Sequence, residues 1–461
     1  MGVRNVILIT VDSLRYDRTL GMPDSATRAP TLNRLAEEFV SFDQAVANGP
    51  NTPSSFPTIL TGTHPLMYGG YRYLDEQRPF LSETFRDAGW TTVGYHSNPH
   101  LGPEKNYNHG FDTFNDGGED DDDAWTLKNF VDERLDPDGL LYKLLRRGYH
   151  MFQMTADTSA YVRAPEITDR ATRWLDEEWD GDQPFFMWLH YMDVHYPFTP
   201  PDEHLEKQGL ETLSTRRKAN LNGMMQENPE ELTDDDVADL LSLYDGEIRL
   251  VDETIERLLD DLETRGILDD TAIVVTADHG EAFGEHDRFG HHPYLYDELL
   301  RVPLIIRAPG LTNERVDEQV SLIDLGPTMF DLVDIETPER MQGVSRAPCI
   351  SSTTMGTDLD APVGGEEMAL CTGRGGKTLA SRTDRWKCFW RTADGVIELY
   401  DLMNDPDELE DVSDHHPAVV DEHKTQMQTY LDEADATDIT LPEVDESEAV
   451  KQRLEDLGYK Q

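Results

Sequence analysis

Lysine is scarce in this chain. Among its 461 residues only 10 are Lys, against 30 Arg, and these 40 bases face 92 acids, for a formal charge of −52. A surface this negative repels phosphates, which excludes nucleic-acid binding driven by net charge. It equally disfavours docking on an anionic membrane. Such an acid-rich, Lys-poor chain fits a high-salt cytoplasm, where counterions screen its self-repulsion. Cysteine is nearly absent too. Three residues (Cys349, Cys371 and Cys388) cannot build a disulfide framework, and an odd count suits a reducing compartment. No apolar run approaches the ~18 residues of a membrane span. The opening Met1-Gly2-Val3-Arg4-Asn5 leads directly into Val6-Ile7-Leu8-Ile9, an apolar stretch too short for a signal-peptide core, and no Ser or Thr at position 6 completes a myristoylation signal. The expected location is cytoplasmic.

What is present is a globular pattern. The hydrophobic fraction, 38%, is low but above that of a disordered chain. Asn5–Val11, Thr91–Tyr95, Pro184–Tyr191, Thr271–Thr276 and Val302–Arg307 are short runs apolar on both faces, as buried strands are. Between them, Thr31–Phe39, Leu81–Ala88, Ile167–Glu178 and Asp235–Glu263 follow a helical period, and Gly266 stops the last. Alternation of strand and helix predicts an α/β fold with a large, mostly parallel sheet covered on both sides. The Gly- and Asp-rich stretch Asn115–Asp123 reads as a solvated loop, and Thr337–Asp360 as a boundary. Beyond it, Asp384–Trp390 and Val396–Leu402 read as strands and Pro417–Glu433 as a closing helix, a small α+β subdomain.

In such a sheet, ligands gather at the carboxyl ends of the strands. Three of those ends are polar: Asp12-Ser13, Asp278-His279-Gly280-Glu281, and Asp193-Val194-His195-Tyr196-Pro197. Any one acid could cap a turn, and Asp193 alone reads that way. Carboxylates and an imidazole from separate strand ends are what a divalent-metal site requires. A hydroxyl-rich segment, Asn51-Thr52-Pro53-Ser54-Ser55 through Thr61-Gly62, offers either a helix cap or a nucleophile that a cation would activate.

Taken in order, these segments resemble the sulfatases of the alkaline phosphatase superfamily, from Asn5 to about Asp414, with the composition of a haloarchaeal-type member. Sulfatases carry a Cys/Ser-x-Pro-Ser-Arg motif and a Leu-Thr-Gly ending. Counting back ten residues from Gly62 puts Thr52 at the nucleophile, in preference to Ser54. Thr52, Ser55 and Pro57 are also similar to Thr-dependent phosphotransferases and nucleotide pyrophosphatase-like members. The resemblance assigns Asp12, Asp278 and His279 to a metal. It assigns His195 to the active site and Asn98 and His100 to substrate, Asn98 standing where the family has Lys. It places His292 where sulfatases carry a sulfate-binding Lys.

Gly110-Phe111-Asp112, Arg301–Ile305 and Glu398–Leu402 are structural landmarks of the family. His64 is read as structural, and one of His286, His291 and His292 as facing the site. The chain departs from the family at Ser13, in place of a second Asp, and at Phe56, in place of the motif Arg. Threonine cannot become formylglycine, so the substrate need not be a sulfate.

The resemblance therefore implies an alkaline phosphatase-like sandwich, with a catalytic domain over 1–340 and a C-terminal subdomain over 341–461. It implies a divalent ion (Ca²⁺, Mg²⁺, Mn²⁺ or Zn²⁺) and a small-molecule or glycan sulfate or phosphate ester as substrate, cleaved through Thr52. The alternatives are a phosphodiesterase or phosphotransferase acting on a glycan or head group, and a non-catalytic binding homologue.

Overall fold

The computed structural model describes residues 2–21, 25–117, 161–291, 293–311, 313–347 and 368–437, together with 439–442, 444, 450, 451, 453 and 454. His292, Cys349, residues 118–123 of the Gly/Asp stretch and residues 348–360 of the boundary lie outside the described residues.

The frame is an eight-stranded sheet. Its members are β1 (Asn5–Val11), β2 (Val40–Val46), β3 (Thr91–Tyr95), β4 (Thr113–Asn115), β5 (Phe185–Tyr191), β6 (Thr271–Ala277), β9 (Arg301–Arg307) and β10 (Glu314–Ser321). A two-stranded hairpin, β7 (Ala282–Phe283) with β8 (Phe289–Gly290), follows β6. The sheet order is β10-β2-β9-β6-β1-β5-β3-β4. Pairing is parallel throughout except at β9, which runs antiparallel to both β2 and β6.

Every residue of β1, β5 and β6 is buried, which is why these strands are continuous apolar runs. Each large apolar side chain so buried stabilises the fold by roughly 1.5–3 kcal/mol. The parallel arrangement carries the carboxyl ends of β1, β3, β5 and β6 to one edge. β2 and β10 are not legible as apolar runs: β2 carries Asp43 and Gln44, and β10 is an edge strand whose first half is polar and largely exposed.

Helices cover both faces. The longest among the described residues, Asp234–Thr264, is 31 residues. It opens at a capping box in which Thr233 and Asp236 satisfy each other's backbone donors, and Gly266 follows its end at φ 72°. Its apolar stripe packs on the Ala164–Glu177 and Pro30–Glu38 helices, and Tyr244 from this stripe reaches the loop after β1.

The C-terminal part is a second, antiparallel sheet of β11 (Ala369–Thr372), β12 (Thr378–Arg382), β13 (Trp386–Arg391) and β14 (Ile397–Asp401). The Pro417–Ala436 helix packs on it through Met427, Tyr430 and Ala434. This is the small α+β subdomain the sequence predicts. Cys371 and Cys388 are buried here as free thiols.

Candidate active site

The register of the central sheet builds the site. Val11 of β1 pairs with Ala277 of β6, so the next residues, Asp12 and Asp278, leave the sheet side by side. The Asp12 N–H bonds the Tyr191 carbonyl at the end of β5 (2.8 Å), and Tyr244 Oη donates to the Ser13 carbonyl (2.6 Å). Ser13, at φ 59°, turns back on the pair: its hydroxyl donates to Asp12 Oδ1 (2.9 Å) and its N–H to Asp278 Oδ1 (3.3 Å). The residue that replaces a second Asp thus orients the two carboxylates.

Asp12, Asp278 and His279 each offer a ligand atom, all within 4.8 Å of one another, and all three are buried. His279 Nδ1 faces the Gly280 carbonyl (2.8 Å), which leaves Nε2 pointing at the carboxylates, 3.4 Å from Asp278 Oδ2 and 3.7 Å from Asp12 Oδ1. Neither His279 Nε2 nor Asp278 Oδ2 has a hydrogen-bond partner among the described residues, although both are buried. Two buried carboxylates and an orphaned imidazole nitrogen converging on one point fit a divalent cation.

The electrostatics agree. Burial, and then the charge of Asp12, drives the Asp278 carboxyl well above its usual range. Burial also opposes ionisation of Asp12, but His195, His190 and His279 outweigh it and hold that carboxylate well below its usual range. Burial, reinforced by His291, takes His279 down to about 3, so it presents a neutral ring.

Thr52 opens the Thr52–Thr61 helix, with Asn51 as N-cap and Pro53 in the first turn. Its Oγ1 lies 3.3 Å from Asp12 Oδ2. The neighbouring hydroxyls are occupied elsewhere. Ser54 Oγ donates to Asn51, and Ser55 Oγ to the backbone carbonyls of Asp278 and Gly49. Asn98, beyond the end of β3, donates from Nδ2 to Asp12 Oδ2 (3.0 Å) and reaches Thr52 Oγ1 at 3.4 Å. The His100 N–H bonds Asn98 Oδ1 (2.9 Å), and burial takes its ring down to about 3.

His195 follows β5. Its Nδ1 bonds the Tyr196 carbonyl, and its ring lies 4.9 Å from that of His291. Asp193, read from sequence as a cap, accepts the Ala164 N–H at the start of the Ala164–Glu177 helix and also pairs with Arg163.

Of the residues expected from sequence, the structure brings Asp12, Thr52, Asn98, Asp278 and His279 together, with His100 and His195 beside them. His292 is outside the described residues, whereas its neighbour His291 is placed against His195 and against His279, 4.8 Å between rings. The Ala282–Gly290 pairing of the small hairpin sets Glu281 beside His291, with His291 Nδ1 3.3 Å from Glu281 Oε2. Glu281 raises the His291 pKa against the effect of burial.

His190 was not anticipated. From within β5 its Nε2 lies 3.4 Å from Asp12 Oδ2, and its Nδ1 bonds Thr10 Oγ1 at 3.0 Å. The available signal was a lone imidazole in the otherwise apolar run Phe185–Tyr191. His64 packs on Tyr430, 5.0 Å between rings, in keeping with a structural role.

The sulfatase family model matches residues 4–335, and the model of the N-sulphoglucosamine sulphohydrolase C-terminal region matches residues 284–436. The chain belongs to the sulfatase family, within the alkaline phosphatase-like superfamily, and is a hydrolase acting on sulfuric or phosphoric ester bonds.

Among its relatives, the uncharacterized sulfatase YidJ of Escherichia coli is 28% identical over 408 residues, covering 83% of this chain and 78% of that protein. Arylsulfatase K of Xenopus laevis is 23% identical over 464 residues, covering 93% and 82%. In fold, the phosphonate monoester hydrolase of Agrobacterium radiobacter superposes with a TM-score of 0.69 at 20% identity, covering 94% of this chain and 96% of its own. A protein solved in complex with its substrate D-glucosamine-2-N,6-O-disulfate superposes at 0.67 and 19% identity, covering 94% and 98%.

Proposed function

We propose that this protein is a metal-dependent hydrolase that cleaves a sulfate or phosphate ester of a small molecule or glycan through Thr52. One observation carries the reading. Of the three hydroxyls at the head of the Thr52–Thr61 helix, that of Thr52 faces the carboxylate site, while those of Ser54 and Ser55 are tied to neighbouring groups.

Asp12, Asp278 and His279 would hold the ion. When bound, it supplies positive charge that neutralises the nonbridging oxygens of the ester and lowers the cost of ionising a nearby hydroxyl. Thr52 Oγ1 forms the bond to sulfur or phosphorus as the bond to the ester oxygen breaks. Its hydroxyl proton passes to Asp12 Oδ2, its neighbour at 3.3 Å. The departing oxygen takes a proton from the imidazolium form of His195, the form that burial disfavours. Water then attacks the same sulfur or phosphorus and gives a proton back to His195. The anion leaves, and Thr52 recovers its proton from Asp12. The N-terminal end of the helix favours the anionic oxygen.

Asn98 and His100 bind the nonbridging oxygens, and His292 takes the place of the family's sulfate-binding Lys, a reading supported by its neighbour His291, whose ring lies beside those of His195 and His279. The glycan arm of the reading is supported by a fold neighbour bound to D-glucosamine-2-N,6-O-disulfate, and the phosphoryl arm by the phosphonate monoester hydrolase. We assign residues 1–340 to the catalytic domain and 341–461 to a subdomain completing it. The composition supports a protein of a high-salt cytoplasm.

The test is direct: purified protein in molar KCl, assayed against aryl sulfate, aryl phosphate, phosphonate monoester and phosphodiester substrates with Ca²⁺, Mg²⁺, Mn²⁺ and Zn²⁺. Turnover of one ester class that chelation stops, with a sulfo- or phospho-Thr52 peptide trapped by acid quench, is the expected result. Metal-independent turnover, or a label on Ser54, would overturn it.

A further inference from the structure

Two charged residues from distant parts of the chain hold both ends of the segment that delivers His195. At its start, Asp193 is buried and pairs with Arg163 Nε, and its second oxygen accepts the Ala164 N–H. At its end, the Thr199 carbonyl accepts from Arg163 Nη1 (3.3 Å), and the Thr199 N–H donates to Glu247 Oε1 (2.7 Å). Arg163 and Glu247 are joined to each other through Arg163 Nη2 and Glu247 Oε2 (2.5 Å). The carboxylates of Asp193 and Glu247 have no exposed surface, so each requires the shared guanidinium. Arg163 is the fork that can serve both at once.

Inside this clamp lies Val194, at φ 90°. A β-branched residue in that region is strained, and such a conformation persists only where its surroundings over-determine it. The residue after it is His195. The clamp and the strained backbone together set the direction in which the imidazole leaves the loop.

We propose that Arg163 and Glu247 are positioning residues for His195, fixing the 193–199 segment so that its imidazole faces the Asp12 and Thr52 site. The inference rests on the role given to His195 under the proposed function.

Conservative variants test it. Arg163→Lys keeps the charge but loses the fork. Glu247→Gln keeps an acceptor for the Thr199 N–H but loses the ion pair. Both are made in the full chain and assayed in molar KCl with 4-nitrophenyl sulfate, or with the phenylphosphonate monoester if that is the ester turned over.

Each variant should lower kcat tenfold or more with KM within twofold. In a His195→Ala background the same changes should cost less than twofold. A variant that retains kcat within twofold of the parent, or is equally damaging without His195, overturns the proposal.

Hydrogen exchange provides a readout independent of turnover. The 194–199 amides should exchange at least tenfold faster in the variants, with β1 and β6 unchanged. Equal exchange would overturn the clamp whatever the activity. If His195→Ala alone remains fully active, the proposed role of His195 fails, and the exchange rates still decide whether Arg163 and Glu247 fix the loop.

Discussion

Asp12 and Asp278 stand side by side because the residues before them, Val11 and Ala277, are partners in the parallel pairing of β1 and β6. Burial, and then the charge of Asp12 beside it, drives the Asp278 carboxyl up. A divalent cation relieves the repulsion between the two carboxylates. Asp278→Asn should therefore leave the metal-free melting temperature equal or higher, while the increase produced by added metal largely disappears. Thermal melts with and without chelator decide it; an undiminished metal-induced shift would remove Asp278 from the ligand set.

Thr52→Ala should reduce turnover by about 10³-fold or more, as loss of a nucleophile does, with metal affinity nearly unchanged. Ser54→Ala should stay within a few-fold of the parent. Ser55→Ala should also stay active but lose about 1 kcal/mol of stability, because its hydroxyl bonds the buried Asp278 carbonyl. Single-turnover assays and denaturant melts separate the three. A dead Ser54→Ala beside an active Thr52→Ala would shift the nucleophile by two residues.

His190→Phe should weaken metal binding by about 10- to 100-fold, the usual loss when a group behind a ligand is removed. His190 Nε2 sits against Asp12 Oδ2, whereas its ring also packs on Phe56, 5.0 Å between ring centres, which a phenyl ring can preserve. Calorimetric titration with Mn²⁺ is the measurement, and wild-type affinity would reduce His190 to packing.

Acid should destabilise the protein from near pH 6.5 downward. His96 is fully buried with both ring nitrogens unpartnered among the described residues, and burial, with His190 next, holds its pKa well below the ordinary value. Burial, then Arg78, takes His64 down to about 4. Both pKa values are lowered on folding. The unfolded chain therefore takes up protons near 6.5 that the folded protein refuses, so their contribution is full above 6.5 and is lost as pH falls toward 4. Each costs up to about 1.4 kcal/mol per pH unit in that window. Urea melts between pH 7 and 4.5 should show the slope, and His96→Phe should flatten it.

The melting temperature should rise steeply from low salt to molar KCl, since −52 formal charges repel within the compact state. A flat response would remove the high-salt reading without touching the fold.

The sequence alone determined the elements that are buried on both faces. β1 and β3 match their predicted bounds, and β5, β6 and β9 differ by a residue, because a strand shielded on both sides is mostly apolar. The long helix was legible for a similar reason: its stripe has one period and its ends carry a capping box and a glycine. Asp12, Asp278, His279, Thr52, His195, Asn98 and His100 are candidates drawn from polar strand ends and from the family resemblance, and the fold gathers them in one place.

Tertiary structure decided the rest. β2 and β10 are polar in part because they lie toward one margin of the sheet, and no local pattern announces that. Which of the three hydroxyls at the helix head faces the carboxylates depends on what Asn51, Gly49 and Asp278 accept from Ser54 and Ser55, which is a matter of proximity. His190, the Glu281–His291 pair and the Arg163–Glu247 clamp each join residues from separate segments through register or packing. Spacing along the chain cannot encode such contacts, because they exist only once the strands have paired and the helices have closed over them.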